Sequence, residues 1–141
     1  MRLTRLFWLC LLLALAAPAF ADDKPLKGVA LVIGESDYSG ELHPLANPKS
    51  DARAMDGLLG DLGFDVTRVL DGDGRKLASE IADFVDEAKD ADVALVYYSG
   101  HGIEAGGLNY LVPVDADLST PQAAGATLIP LSEMLDELAK T

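Results

Sequence analysis

Residues 93–102 have the sequence Val-Ala-Leu-Val-Tyr-Tyr-Ser-Gly-His-Gly, and this stretch decides both the fold and the candidate site. The six apolar and aromatic residues at its start are typical of a strand buried on both faces, as in a parallel sheet. His101 follows this strand between Gly100 and Gly102, so little side-chain bulk surrounds its imidazole and the adjoining backbone. Two interpretations remain open: a functional acid–base histidine, or an exposed histidine in a tight turn.

Upstream of this stretch the sequence repeats a strand–helix pattern. Apolar or β-branched runs at residues 28–33 and 64–70 predict two more strands, each followed by apolar residues at helical spacing. Asn47 and Pro48 predict the start of the first helix, and Gly63 predicts its end. The helical stripes are Ala52, Met55, Leu58, Leu59 and Leu62, and then Leu77, Ile81, Phe84, Val85 and Ala88. This order predicts an α/β fold with a mainly parallel sheet and helices on its faces.

Downstream of His101 the pattern is weaker. Residues 109–112 predict a hairpin strand, residues 119–125 predict a loop, and residues 131–140 predict a third helix with Ser132 as its N-cap. No internal repeat or low-complexity tract interrupts the chain. The sequence therefore predicts a single folded domain.

The N-terminus differs from the rest of the chain. Two arginines precede an apolar run of 12 residues, and the segment ends in an Ala-x-Ala pattern at Ala21. This layout is typical of a cleavable secretory signal peptide, and the run is too short for a membrane span. We therefore expect a signal peptide at residues 1–21, a domain at residues 22–141, and a periplasmic or secreted location.

The charge and the cysteine content restrict the possible partners and chemistry. The chain has 11 basic and 23 acidic residues, a net charge of −12, and loss of the two signal-peptide arginines leaves −14. So acidic a surface repels nucleic acid and anionic lipid, which excludes nucleic acid as a partner and favours cationic ligands. The single cysteine, Cys10, lies in the apolar run. The predicted mature chain therefore has no disulfide, no thiolate metal site and no thiol nucleophile.

Several polar residues follow the predicted strands, where open α/β sheets bind ligands. Asp51 lies in the first turn of the first predicted helix, where it either complements the helix dipole or lines a pocket. Residues 71–74 (Asp-Gly-Asp-Gly) begin like a calcium loop but lack the third ligand position and the downstream glutamate, so no metal site is predicted. His43 is expected to be exposed, and Asp115 and Asp117 to form turns.

Five segments together resemble a known family. They are Gly-Val-Ala-Leu-Val-Ile-Gly (28–34), Leu-Ala-Asn-Pro-Lys-Ser-Asp-Ala (45–52), Leu-Gly-Phe-Asp-Val (62–66), Tyr-Tyr-Ser-Gly-His-Gly (97–102) and Asn-Tyr-Leu-Val-Pro-Val-Asp (109–115). In this order they resemble bacterial caspase-like peptidases, also called metacaspase- or orthocaspase-like. The resemblance covers nearly all of residues 27–140. It implies a caspase-like three-layer α/β sandwich, represented by its large-subunit portion and therefore incomplete at the C-terminal side.

The resemblance also implies roles for four residues. His101 matches the histidine of a Cys–His dyad, and Gly102 matches the glycine whose backbone N–H helps form the oxyanion hole. Asp51 resembles the aspartate at the bottom of the pocket for the residue before the cut, and Ser99 a neighbour on the wall of that pocket. An acidic pocket implies cleavage of peptides or proteins after Arg or Lys. No cofactor or metal is implied.

One departure from the family leaves three hypotheses. In caspases the histidine precedes the nucleophilic cysteine by about 50 residues, whereas 40 residues follow His101 here. The first hypothesis is the His-bearing part of a cysteine endopeptidase, completed by further sequence or by a second chain, with an exposed strand edge. The second is an inactive pseudo-peptidase that binds basic peptides through Asp51. The third is a hydrolase of another class that uses His101, although no Ser or Asp has recognisable triad context.

Overall fold

The computed structural model describes residues 25–141, and its centre is a parallel sheet. The strands are β1 (Gly28–Gly34), β2 (Phe64–Leu70) and β3 (Val93–Ser99), in the order β2-β1-β3. Every residue of β1 is buried, which explains its continuous apolar sequence. Gly34 is aligned with Leu70 on one side and with Ser99 on the other. The loops that follow the three strands therefore meet at one edge of the sheet.

Two helices connect these strands and cover opposite faces of the sheet. They are α1 (Pro48–Asp61) and α2 (Gly74–Ala88). Pro48 begins α1 as predicted, although the side chain of Asn47 makes no capping hydrogen bond. Gly63 follows α1 with a φ of 88°, a left-handed conformation that turns the chain into β2. Asp73 caps α2 by accepting a hydrogen bond from the backbone N–H of Lys76 at 2.7 Å.

The segment after β3 departs most from the sequence prediction. It contains β4 (Gly102–Ala105), β5 (Leu108–Leu111), α3 (Pro121–Thr127), β6 (Ile129–Pro130) and α4 (Leu131–Leu138). The prediction of a loop at residues 119–125 is wrong, because the Thr120 hydroxyl caps a short helix by accepting from the N–H of Ala123 at 3.1 Å. Ser132 is not the N-cap of the last helix, because α4 begins one residue earlier, directly after Pro130.

The core has two parts, one on each face of the parallel sheet. On the face covered by α2 and α4, the buried residues include Val29, Leu31, Ile33, Leu77 and Phe84. On the face covered by α1, the buried residues are Ala30, Val32, Ala52 and Leu59. Helices on both faces of a parallel sheet confirm the predicted α/β sandwich. The small antiparallel sheet, in the order β4-β5-β6, packs against α4 through β5.

The predicted signal peptide at residues 1–21 lies outside the described residues. From residue 25 to residue 141, the structure contains no helix that is both long and apolar enough to cross a bilayer.

Candidate active site

His101 lies at the edge of the sheet where the parallel strands end. β3 ends at Ser99, one residue before Gly100, and β4 begins at Gly102. A Cβ atom at Gly100 would lie 2.5 Å from the Tyr98 hydroxyl oxygen and 2.6 Å from that of Tyr38. Only glycine therefore fits at this position, and the chain turns tightly around two phenol groups.

The two tyrosines hold the backbone on both sides of the His101 Cα atom. The N–H of His101 donates a hydrogen bond to the Tyr38 hydroxyl at 2.8 Å, and the Tyr98 hydroxyl donates to the His101 carbonyl at 2.7 Å. The two hydroxyl oxygens are 3.3 Å apart. Burial raises the pKa of both phenols above the ordinary value of 10.0. Both hydroxyls therefore keep their protons and remain available as donors at neutral pH.

Two contacts orient the partly exposed imidazole of His101. Its Nε2 atom lies 2.9 Å from the backbone oxygen of His43, and its ring packs edge-on against Tyr38 with ring centroids 4.6 Å apart. A carbonyl can only accept, so Nε2 carries the proton. Among residues 25–141 no hydrogen bond reaches Nδ1. In the neutral imidazole this nitrogen is therefore a free base, which suits proton transfer.

The prediction for His43 was incomplete. Its side chain is exposed as expected, but its backbone carbonyl sets the orientation of the candidate catalytic histidine. A backbone carbonyl has no signature in the sequence, so residue-type reasoning could not find it. Tyr38 was also missed, although an aromatic residue in a short polar loop after a buried strand was a usable signal.

The loop that carries Tyr38 and His43 is anchored by an ionic cluster. One carboxylate oxygen of Asp71 accepts hydrogen bonds from the N–H groups of Ser36 and Asp37 at 2.8 and 2.9 Å. Its other oxygen lies 2.7 Å from the ammonium of Lys49, which also contacts the Asp37 carboxylate. Burial alone would raise the pKa of Asp71, but Lys49 and the two N–H groups outweigh it and lower that pKa. The carboxylate therefore stays ionised in this position.

Glu35 is a buried acid that the sequence analysis did not single out. It directly follows β1 and its side chain has no solvent exposure. One carboxyl oxygen accepts a hydrogen bond from the N–H of Gly72 at 2.8 Å, while the other has no partner in the structure. Burial raises the pKa of Glu35 from 4.5 to about 7, against the lowering effect of the Gly72 N–H.

The other predicted site residues lie at the same edge of the sheet. Ser99 pairs with Gly34, and a Cβ atom at Gly34 would lie 2.6 Å from the Pro48 carbonyl oxygen at the start of α1. Asp51 lies in this first turn of α1 and is exposed. Gly102 is exposed at the start of β4. In the described part of the chain, no hydrogen bond links the Ser99 hydroxyl to His101, so the pair has no nucleophile–base geometry.

The residues of the Asp-Gly-Asp-Gly loop stabilise the fold through hydrogen bonds. Asp71 anchors the Tyr38 loop, Asp73 caps α2, and the Asp115 carboxylate accepts a hydrogen bond from the N–H of Gly74 at 2.8 Å. Asp117 accepts from the N–H of Ser119, two residues on, as expected for a turn. Within residues 25–141 there is no group of three or more His, Cys, Asp or Glu side chains arranged to hold a metal ion.

Comparisons with known proteins agree with this arrangement. The chain is 36% identical over 97 residues to the mucosa-associated lymphoid tissue lymphoma translocation protein 1 of Homo sapiens, over 67% of this chain and 12% of that protein. Its Mus musculus homolog is also 36% identical over 97 residues, which cover 68% of this chain and 11% of the homolog. The chain thus spans only about an eighth of the length of these relatives.

Structure and family comparisons point the same way. The crystal structure of protein GSU0716 from Geobacter sulfurreducens superposes with a TM-score of 0.62 at 23% identity, over 81% of this chain and 45% of that one. At this level of identity the likeness shows a shared fold. The family model described as the caspase domain (Peptidase_C14) matches residues 27–141. The chain therefore belongs to the caspase domain family of peptidases.

Proposed function

We propose that this domain is the histidine-bearing part of a cysteine endopeptidase that cleaves proteins or peptides after Arg or Lys. The observation that carries the proposal is the orientation of His101. Its Nε2 proton is held by the His43 carbonyl, and its Nδ1 atom has no partner among the described residues. This is the geometry that a general base needs beside a nucleophile, because the tautomer is fixed and the basic nitrogen is free.

In the proposed reaction a cysteine thiolate attacks the scissile carbonyl, and the peptide C–N bond breaks to give an acyl-enzyme. His101 takes the thiol proton and delivers it to the leaving amine, and water then releases the acid product and regenerates the thiol. The backbone N–H of Gly102 donates to the oxyanion. Removing one such donor costs about 10²–10³ in rate in comparable sites.

The thiol in this proposal comes from outside residues 22–141, which contain no cysteine. The parallel sheet offers a place for it. β1 pairs with one edge of β3, and no described strand pairs with the other edge. A further parallel strand at that edge would end level with Ser99, and its following loop would meet the His101 loop. We propose that this strand comes from sequence beyond residue 141 or from a second chain.

The proposed preference for a basic residue rests on Asp51 and Ser99. The α1 start that carries Asp51 packs against the end of β1, whose Gly34 is paired with Ser99. Asp51 is exposed and makes no ion pair among the described residues, so its carboxylate is free to meet a cation. The net charge of −12 also favours cationic substrates over acidic ones.

The experiment begins by sequencing the DNA that follows codon 141. If the reading frame continues through a cysteine codon after an apolar strand, the product of the whole frame is assayed on fluorogenic peptides that end in Arg or in Asp. We expect cleavage of the Arg peptide alone, and its loss in the His101→Ala and Cys→Ala variants. Cleavage that survives His101→Ala, or no cleavage of the Arg peptide, overturns the proposal. Asp51→Asn tests the pocket separately, because it should abolish the preference for Arg without removing His101.

A second function is favoured by one observation, the lack of a cysteine in residues 22–141 beside an exposed, unpaired Asp51. Under this proposal the domain is a pseudo-peptidase that binds Arg- or Lys-containing peptides without cutting them. A stop codon after codon 141 and saturable binding of an Arg peptide in isothermal titration would support it. Asp51→Asn should then weaken binding by at least tenfold, with Asp61→Asn at the other end of α1 as the matched control. Equal binding by both variants excludes this role.

The proposed location outside the cytoplasm rests on the signal-peptide pattern alone. Expression of the full chain with a C-terminal tag, followed by N-terminal sequencing of the exported material, tests it. We expect a new N-terminus at Asp22. Protein that keeps its first 21 residues and stays in the cytoplasmic fraction contradicts the prediction.

A further inference from the structure

A closed ring of hydrogen bonds surrounds His101. Its N–H lies 2.8 Å from the Tyr38 hydroxyl, the Tyr38 and Tyr98 hydroxyls are 3.3 Å apart, and the Tyr98 hydroxyl lies 2.7 Å from the His101 carbonyl. An amide N–H can only donate and a carbonyl can only accept. The ring therefore runs in one direction: His101 N–H to Tyr38, Tyr38 to Tyr98, and Tyr98 to the His101 carbonyl.

The two tyrosines do not contribute equally to the position of the imidazole. The Tyr98 hydroxyl forms hydrogen bonds with the Tyr38 hydroxyl and with the backbone of His101 and Val112, but it has no hydrogen bond to the imidazole in the described part of the chain. Tyr38 contacts both the backbone and the side chain of His101, because its hydroxyl accepts from the His101 N–H and its ring packs against the imidazole in a T-shaped arrangement with centroids 4.6 Å apart. Tyr38 is also 5% exposed, so its ring has little freedom to move.

Tyr38 in turn is positioned by the ionic cluster described above. Asp71 accepts from the N–H groups of the two residues before Tyr38, and Lys49 joins Asp71 to Asp37. Asp71 itself has a φ of 50°, a left-handed conformation that Asp tolerates better than most residues. A continuous series of contacts therefore runs from the β2–α2 loop, through the Tyr38 loop, to His101.

We propose that Tyr38 is a positioning residue that fixes the imidazole of His101, with Nε2 on the His43 carbonyl and Nδ1 free. The Tyr38 hydroxyl holds the backbone of His101 through the His101 N–H, and the contact between the two rings limits rotation of the imidazole. The role in catalysis rests on the proposed peptidase function. The positioning itself does not, because every contact involved lies within the described chain.

The test is Tyr38→Phe in the ¹⁵N-labelled protein, with the two ring nitrogens of His101 followed by long-range ¹H–¹⁵N correlation spectra. Phenylalanine keeps the ring contact and removes only the hydroxyl. We expect the single Nε2–H tautomer to be replaced by the mixed tautomers of a free imidazole. Hydrogen exchange of the His101 amide should become roughly fivefold to tenfold faster, as expected for the loss of one hydrogen bond. Tyr97→Phe is the matched control, because the Tyr97 hydroxyl makes no hydrogen bond in the described part of the chain, and it should change neither signal.

Unchanged ring-nitrogen shifts and amide exchange in Tyr38→Phe overturn the proposal, as do equal changes in Tyr97→Phe. If Tyr38→Phe does not fold by circular dichroism, Asp71→Asn takes its place, because it loosens the Tyr38 loop without altering either ring. A smaller change in the same direction is then expected, and an unchanged spectrum refutes the positioning role. These spectra need no thiol and no cleavage. A shift in tautomer without peptidase activity in the complete protein would therefore contradict the proposed function and leave the positioning intact.

Discussion

The two faces of the parallel sheet are built differently. The face under α2 and α4 has the larger set of buried residues, which extends from β1 and β2 to Leu111 and Met134. The face under α1 has a smaller buried set, and Leu95 and Tyr97 of β3 are only partly covered there. Helix α1 contacts β2 and β1 more extensively than β3, so the side of this face near β3 is only partly covered. The two faces thus differ in how many residues they bury, while β3 is only partly covered on both.

The outer strands of the sheet show the same difference. β2 carries Asp65 and Arg68, and Arg68 forms an ion pair with Asp56 of α1. Charged residues on an edge strand discourage pairing with another chain. β3 is apolar from Val93 to Tyr98, with Val93 38% exposed, and carries no charge along its length. The two outer edges therefore differ in charge, and this difference predicts that any strand pairing with another chain uses the β3 edge rather than the β2 edge.

The largest expected effect is on stability. It comes from replacing one phenylalanine on each face of the sheet with alanine and comparing the two losses. Phe84 on the α2 face is 1% exposed, and Phe64 on the α1 face is only partly buried. Phe84→Ala should lower the free energy of unfolding by about 3–5 kcal/mol, because the enclosed site cannot collapse around the cavity. Phe64→Ala should cost about half as much, because solvent and α1 can fill the space. Urea unfolding measures both changes in free energy, provided that the m-values of the two variants are equal. Equal losses of stability would contradict the proposed difference between the two faces.

The second prediction tests how completely solvent is excluded from the Glu35 carboxyl, which lies just beyond the end of β1. The folded-state pKa of about 7 lies above the ordinary value of 4.5, so between these values the unfolded chain has already released the proton that the folded chain retains. The free energy of unfolding should therefore fall as the pH rises from about 5 to 7, by about 2 kcal/mol, and then level off. Glu35→Gln should remove this slope and be the more stable protein at pH 8, with no difference at pH 5. Urea unfolding at pH 5 and pH 8 measures these free energies for both proteins. If the free energy of the wild-type protein changes with pH in the same way as that of Glu35→Gln, the carboxyl group is solvated and the prediction is wrong.

The third prediction concerns the apolar edge. Val93→Lys places a charge beside the open edge of β3 and should change the free energy of unfolding by less than about 0.5 kcal/mol, since Val93 is partly exposed. Self-association in concentrated solution, followed by sedimentation velocity, should decrease. Asp65→Lys puts a lysine on the β2 edge as the matched control and should leave association unchanged. If the wild-type protein stays monomeric at high concentration, this contradicts the proposal that the free edge of β3 pairs with a further strand.

Local patterns explain why part of the fold was predictable. β1 and α2 follow directly from short-range signals, a continuous apolar run in one case and a helical stripe after Asp73 in the other. Helix α3 was not predicted, because Gly125 lowers helix propensity and the start signal formed by Thr120 and Pro121 was overlooked. The helix buries none of its residues, so it also lacks the apolar stripe that predicts the longer helices.

The candidate site was predictable only where residue type carries the chemistry. His101 stands out between glycines after a buried strand, whereas Tyr38 is 63 positions away in the sequence and acts through a hydrogen bond to a backbone N–H. The carbonyl of His43 would act in the same way with almost any side chain. Residues that orient others through the backbone leave no compositional signal, so only the structure brings them together.

The smallest expected effect concerns the charged edge. Arg68→Val leaves Asp65 as the only charged residue of β2, and the loss of a partly exposed ion pair should lower the free energy of unfolding by less than about 0.5 kcal/mol. Association measured by sedimentation velocity should nevertheless increase, because one of the two protecting charges on β2 is gone. Asp56→Asn breaks the same ion pair but keeps the arginine on the edge, so it should share the small loss of stability without the new association. If Arg68→Val and Asp56→Asn self-associate to the same extent, the charge of Arg68 on the strand is not what prevents pairing at the β2 edge. The charge difference between the two edges would then not explain their behaviour.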